Sequence, residues 1–184
     1  MGKKKKILIE EIEIPKEVEV SIDKVTISIK GKMGEIKRRL ASKKVELSKQ
    51  ENKVVISAKK TSKREKKVMN SFKAHIKNMI RGATEGHRYE LKICSGHFPM
   101  NVSVNNKEFS VKNFLGEKIP RTFKIKEGVD VKVEGDKVIV ESIDKELAGH
   151  VSSDIEQLTR RTKYDTRIFQ DGIYITNKDG KELK

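Results

Sequence analysis

The run Lys112-Asn113-Phe114-Leu115-Gly116-Glu117-Lys118-Ile119-Pro120-Arg121 recurs in degenerate form 82 residues earlier, as Lys30-Gly31-Lys32-Met33-Gly34-Glu35-Ile36. In both places Gly-Glu follows an alternating apolar run, Ile27-Ser28-Ile29 in the first and Phe109-Ser110-Val111 in the second. This reads as strand, tight turn and return strand, with glycine supplying a turn that a side chain would obstruct. The correspondence continues at an offset of 84, where Val45-Glu46-Leu47 faces Val129-Asp130-Val131 and Asn52-Lys53-Val54-Val55-Ile56 faces Asp136-Lys137-Val138-Ile139-Val140. A helical pattern follows each last strand, opened by Ser62 and by Asp144, at an offset of 82 again. A period this long excludes a solenoid array and requires two similar domains. The copies should superpose sheet on sheet and helix on helix, with Gly34 and Gly116 in equivalent turns.

The expected fold class is therefore α+β, a tandem repeat of two similar domains, each a small, mainly antiparallel sheet covered by one helix. Residues 1–82 form the first domain, with a basic N-terminal arm, and residues 83–184 the second. A chain of 184 residues, 35% hydrophobic, can fill two modest cores more readily than one large one. In the first copy, 7–14 and 18–22 read as strands around Pro15, which demotes the first to an edge or a separate pairing strand, and 25–30, 35–40, 45–47 and 53–58 make a meander. The helix runs from Lys63 to about Arg81, with a Ser62–Glu65 capping box, an apolar stripe of Val68, Phe72, Ile76 and Met79, and Gly82 at the C-cap. In the second copy, Tyr89 to Ile93 and Asn101 to Val104 read as a hairpin absent from the first. Strands over 123–126, 129–134 and 137–141 complete a longer sheet, and Asp144 caps a helix whose Leu147, Val151, Ile155 and Leu158 face it. A last strand lies around Gly172 to Ile175, and the chain from Lys178 onward reads as unstructured.

Charge points to the partner. The formal net charge is +15 and the pI near 9.8, which suits a nucleic-acid ligand. Residues 1–84 carry 24 Lys and Arg against 10 Asp and Glu, whereas residues 85–184 carry 18 against 17. Aromatics divide the other way, with Phe72 alone in the first half. The first helix bears Lys63, Arg64, Lys66, Lys67, Lys73, Lys77 and Arg81 outside its apolar stripe, which a solvated face would also explain. Arg160, Arg161, Lys163 and Arg167 place four cations within eight residues, with Tyr164 among them. Cations at a helix C-terminus complement the dipole, but this density exceeds what capping needs; arginine grips phosphate with a planar fork and tyrosine stacks on bases. No run reaches the length of a membrane helix, and Ile7-Leu8-Ile9 meets Glu10 and Glu11 too soon for a secretory core. One cysteine, Cys94, makes no internal disulfide, so a reducing cytosol is expected.

Catalytic and metal patterns are weak. Cys94 and His97 stand three apart near a turn, with no partner in the sequence placed to orient the histidine. His75, His87, His97 and His150 lack ligand spacing and read as ordinary surface or turn histidines. Gly82, Gly86 and Gly96 make no phosphate loop. No catalytic residue, metal, cofactor or small-molecule substrate is expected.

Several stretches resemble the large-ribosomal-subunit protein six family in its archaeal and eukaryotic branch: Gly96-His97-Phe98-Pro99, Asn113-Phe114-Leu115-Gly116-Glu117-Lys118, Lys145-Glu146-Leu147, Phe169-Gln170-Asp171-Gly172-Ile173-Tyr174 and, in the first copy, Asn78-Met79-Ile80-Arg81-Gly82. The resemblance covers nearly the whole chain. It departs from the bacterial branch near the end, where Thr162-Lys163-Tyr164-Asp165 stands in place of a Pro-Glu-Pro-Tyr pattern. The resemblance implies a non-enzymatic tandem of two α+β domains in the cytoplasmic ribosome. Its partners would be large-subunit ribosomal RNA and neighbouring proteins of the stalk base, near the factor-binding region. The candidate RNA-contacting residues are His97, Phe98, Lys112, Asn113, Lys118, Arg121, Arg160, Arg161, Lys163, Tyr164 and Arg167. Phe114 and Leu115 read as core residues anchoring their turn in preference to base-stacking groups. A free RNA-binding or RNA-chaperone module is the alternative, and an enzyme acting on nucleic acid a third.

Overall fold

The computed structural model divides into two compact units, Met1–Gly86 and His87–Lys184. The structure describes residues 8–58, 62–165 and 167–183, so the lysines at 3–6 lie outside the described residues.

The first unit opens with β1 (Leu8–Glu13), β2 (Glu19–Asp23), β3 (Thr26–Gly31), β4 (Gly34–Arg39), β5 (Val45–Gln50) and β6 (Lys53–Ala58), followed by α1 (Lys63–Thr84). The meander expected over 25–58 is divided in two. Strands β2, β3 and β4 form one antiparallel sheet, while β1 pairs separately, with β6, giving the order β1-β6-β5. Pro15 stands two residues beyond the end of β1, outside the ladder where it would remove a donor, and β1 is an edge strand. Alternation drives the split, because Ile12 and Val20, Ile27 and Ile29, and Val54 and Ile56 all point into one core beneath α1. The helix contributes Met69, Phe72, Ile76, Met79, Ile80 and Ala83, a wider stripe than the four residues expected.

Two details at the ends of α1 differ from the expectation. Ser62 takes the N-cap position, but its hydroxyl bonds the Glu65 carboxylate and no backbone N–H. Glu65 is 3% exposed, meets Lys44 at 3.0 Å and accepts from the Ser62 backbone N–H, so half of the expected capping box forms and an ion pair is added to it. Gly82 is not the C-cap; it is buried inside the helix, which runs on to Thr84. The helix ends at Gly86, whose φ of +78° supplies the left-handed turn while its N–H bonds the carbonyls of Arg81 and Gly82.

The hairpin from β3 to β4 explains one repeat glycine. A Cβ on Gly31 would lie 2.5 Å from the Ala83 carbonyl oxygen, the same oxygen that accepts from Met33 N–H at 3.0 Å. Gly31→Ala is thus expected to displace the hairpin from the end of α1 and to cost about 1–3 kcal/mol, measurable by denaturant unfolding.

The second unit repeats the order. It comprises β7 (His87–Cys94), β8 (Asn101–Asn105), β9 (Glu108–Lys112), a 3₁₀ turn (Phe114–Gly116), β10 (Arg121–Lys124), β11 (Val129–Glu134), β12 (Lys137–Ser142), α2 (Lys145–Leu158), β13 (Gly172–Lys178) and β14 (Lys181–Glu182). Strands β8, β9 and β10 match β2, β3 and β4, and β7, β12 and β11 match β1, β6 and β5. The expected hairpin of 89–93 with 101–104 is therefore absent: β7 pairs with β12 and β13, and β8 with β9, so both strands have counterparts in the first copy. The additions are β13 and β14, which extend this sheet to five strands in the order β11-β12-β7-β13-β14. Residues 178–183 are accordingly not loose, and Lys184 lies outside the described residues. Asn177 and Lys178 pair with Glu182 and Lys181, and the Asp179 side chain is 4% exposed against His87 and Lys145.

The helix packs as expected. Asp144 caps α2 by accepting from Glu146 N–H at 2.8 Å, and Ala148, Val151 and Ile155 are buried, with Leu147 and Leu158 packed beside them. Gly34 and Gly116 both have positive φ, but only Gly34 closes a two-residue hairpin. In the second copy, residues 113–120 form a longer connection built on the 3₁₀ turn, with Asn113 and Leu115 at φ of 59° and 47°.

Candidate nucleic-acid interface

Three segments of the second unit meet at the C-terminal end of α2: the loop after β7 (95–100), the connection before β10 (113–120) and the return from α2 to β13 (159–171). Thr159 fixes the exit from the helix, since its buried hydroxyl donates to the Glu156 carbonyl at 3.2 Å and accepts from Ile173 N–H at 2.9 Å.

Arg121 holds the connection to that exit. Its guanidinium binds both oxygens of Glu117, at 2.8 and 2.7 Å, and donates to the Leu158 carbonyl at 2.7 Å. It also lies 4.4 Å from the ring centre of Phe114, which is 1% exposed. Phe114 is thus a core residue, as expected. Glu117 serves a second cation as well, Arg161 at 3.2 Å, whose guanidinium stacks 4.6 Å from the Tyr164 ring centre. The hydrogen bonds from Arg121 hold the Glu117 carboxyl below the usual carboxylate range, against the opposing effect of burial.

The loop after β7 is anchored by a residue that sequence spacing does not associate with it. Asp171 is 6% exposed and accepts from Gly96 N–H at 2.7 Å, His97 N–H at 2.9 Å and the His97 ring Nδ1 at 2.6 Å. The expectation that nothing orients His97 is therefore corrected, and the partner lies 74 residues away in sequence. The His97 ring also stacks on Phe169, which meets the edge of Tyr164 at 4.9 Å. His87 likewise is no surface histidine, since its side chain is fully buried and its Nδ1 lies 3.0 Å from Asp179.

The expected contact residues thus fall into two groups. Arg121, Arg161, His97 and Asn113, whose amide donates to the Pro99 carbonyl at 3.1 Å, are engaged within the protein. Arg167 pairs with neighbouring Asp165. Phe98, Lys112, Lys118, Arg160, Lys163 and Tyr164 are exposed, and among the described residues the three lysines have no ion-pair partner. Lys163 stands at φ of +72°, in the left-handed region. Of these exposed groups, Arg160, Lys163 and Tyr164 line a cleft of about 510 Å³ together with Phe169 and Tyr174. Glu117, Phe169, Asp171 and Tyr174 were missing from the sequence-based set.

Two buried carboxylates give the unit an acid limit. Burial alone would raise Asp171 and Asp179, but the Gly96 and His97 bonds to the first, and those of His87 and Lys145 to the second, hold both below the ordinary value. A depressed carboxyl stabilises fully above its unfolded pKa, about 3.9, and loses that contribution as pH falls through the folded value. The thermal midpoint of the second unit should therefore hold between about pH 7 and 5 and fall below about 4. Asp171→Asn with Asp179→Asn should flatten that acid limb in a pH series of melts.

A duplicated α+β protein that presents cations and aromatic rings around one helix end has the makeup of an RNA-binding scaffold. Among the described residues no group of His, Cys, Asp and Glu could hold a metal, and no helix is long and apolar enough to cross a membrane. The sequence model of the family described as Ribosomal protein L6 matches residues 14–86 and again 98–172. The chain is 44% identical over 174 residues to the large ribosomal subunit protein uL6 of Methanococcus vannielii, covering 95% of this chain and 96% of that one. It is 42% identical over 170 residues to the protein of the same name from Methanobrevibacter smithii, covering 92% and 96%. The chain belongs to the ribosomal protein L6 family.

Proposed function

We propose that this protein is a structural component of the large ribosomal subunit, binding ribosomal RNA near the stalk base and factor-binding region, beside the proteins of that base, with no catalytic role. Family membership makes it a ribosomal protein, at work in the ribosome in the cytoplasm. The observation that carries the RNA-contact assignment is the cleft at the end of α2, where exposed Lys163, without an ion-pair partner among the described residues, and exposed Arg160 stand beside Tyr164. Phosphate contacts from those cations position the RNA, and Tyr164, Tyr174 and Phe98 offer faces on which an unstacked base can rest. The engaged residues Arg121, Arg161, His97 and Asn113 act by holding these groups in place.

Two measurements test this reading. On a sucrose gradient in moderate salt, the protein should co-migrate stoichiometrically with the large subunit; recovery mainly at the top would overturn it. Replacing Arg160 and Lys163 by Gln should leave the melting midpoint within a few degrees and flatten the salt dependence of RNA binding by about 0.7–0.9 log units for each phosphate no longer neutralised. The matched change of Lys63, Lys66 and Lys67 on α1 is the control. If that control flattens the slope more, the contact belongs to the first unit.

A further inference from the structure

The duplication leaves one position filled in the second unit and open in the first. Strand β7 has two neighbours, β12 on one side and β13 on the other. Its counterpart β1 has β6 on one side and, among the described residues, nothing on the other. The registers are equivalent, since Ile12 faces Val54 as Leu91 faces Val138. In the second unit Glu90, Leu91 and Lys92 are paired with Asn177, Ile175 and Tyr174 of β13, and the neighbouring Ile173 is fully buried. The matching positions in the first unit, Glu11, Ile12 and Glu13, line an open cleft of about 620 Å³ against the flank of α1 that carries Lys77 and Ile80.

The edge of β1 also carries a charge at odds with its unit. Of the 10 acidic residues in positions 1–84, Glu10, Glu11, Glu13, Glu17 and Glu19 fall within one stretch whose sole cation is Lys16. Glu11 is half exposed and meets Lys53 at 2.8 Å, with Glu13 beside that same lysine. The cleft itself also carries Lys73, Lys77 and Arg81, of which Lys73 is paired with Glu10 and Arg81 with Glu85; the charges that the outward side chains of an added strand would meet are Glu11 and Glu13, two carboxylates around the one ammonium of Lys53, and these favour cations. Ile9, 57% exposed on the same face, adds apolar surface.

We propose that the free edge of β1 accepts an extended segment of a partner protein, which adds as a fourth strand, antiparallel to β1, where β13 sits in the second unit. The incoming segment alternates apolar residues, directed at Ile12 and Ile80, with lysine or arginine facing Glu11 and Glu13. Main-chain hydrogen bonds to an unpaired strand supply affinity, and the alternating side chains supply selectivity. This does not depend on where RNA binds.

The test titrates the full-length, isotope-labelled chain with a peptide of about ten residues alternating isoleucine and lysine, and follows amide exchange by NMR. The expected result is slowed exchange at alternate amides of residues 8–13, abolished when the peptide's alternate amides are N-methylated. Binding should weaken about tenfold or more in the Glu11→Lys, Glu13→Lys variant, and should fail with a peptide carrying glutamate for lysine. Equal binding by the charge-reversed variant, protection outside β1, or no binding up to about millimolar peptide would overturn the proposal. So would protection of the same amides by large-subunit RNA instead of the peptide.

Discussion

Replacing Phe114 by alanine is expected to lower the unfolding free energy of the second unit by about 3–5 kcal/mol, the usual cost of emptying a buried aromatic site. The ring is 1% exposed in the core formed by Phe109, Val111, Val140 and Ile155, and its face carries the Arg121 guanidinium at 4.4 Å. Its removal takes away apolar burial and the surface against which Arg121 is held, so the end of α2 should loosen with it. For a unit of this size the midpoint should drop by more than about 10 °C, read by calorimetry. RNA binding should weaken only to the extent that the unit unfolds. A variant of unchanged stability with weakened RNA binding would instead make Phe114 a stacking residue.

The second large effect is expected at Asp171. Its carboxylate satisfies two backbone N–H groups and the His97 ring from a position only 6% exposed. Asp171→Ala removes the acceptor from all three, and since Gly96 and His97 are exposed and can turn to water, the expected destabilisation is about 1–3 kcal/mol. The readout has two parts. Chemical denaturation should show the reduced stability, and amide exchange at Gly96 and His97 should rise even in conditions where the unit remains folded. Asp171→Asn, which keeps an acceptor oxygen, should recover part of both.

The repeat made most of this fold legible. Strands and helices follow from alternating and helical periodicity, and the match between copies located residues that neither copy would reveal alone. Pairing was less legible than existence. Nothing local says that β1 prefers β6 to β2, because each strand's apolar face is compatible with either neighbour, and the shared core decides. Gly82 misled because a glycine near a helix end resembles a cap; Gly86, four residues on, was the residue with the left-handed φ. The tail misled because Asp179 reads as a polar terminus until His87 and Lys145 are seen around it. At the candidate interface the cations were legible as a cluster, but their availability was not. Arg121 and Lys163 are both cations at loop positions in the sequence; one is gripped by Glu117 and a helix carbonyl, the other has no such partner. Those distinctions rest on contacts between residues far apart in the chain, as with His97 and Asp171.

Strand β13 gives the two units different histories during synthesis. The first unit needs only residues up to Gly86, so it can close while the ribosome is still translating the second. The second has β7 through α2 in hand long before Gly172 to Lys178 emerge, and until then β7 is an open edge of the kind β1 retains. Its central strand is thus completed last, by the most distant pairing in the unit, Lys178 with Tyr89. Contacts of that span are slow to form and expose sticky backbone while they wait. A nascent chain stalled before Gly172 therefore carries one finished unit and one whose inner strand β7 is paired on one side only, the stage at which this protein is most exposed to aggregation and most in need of a chaperone.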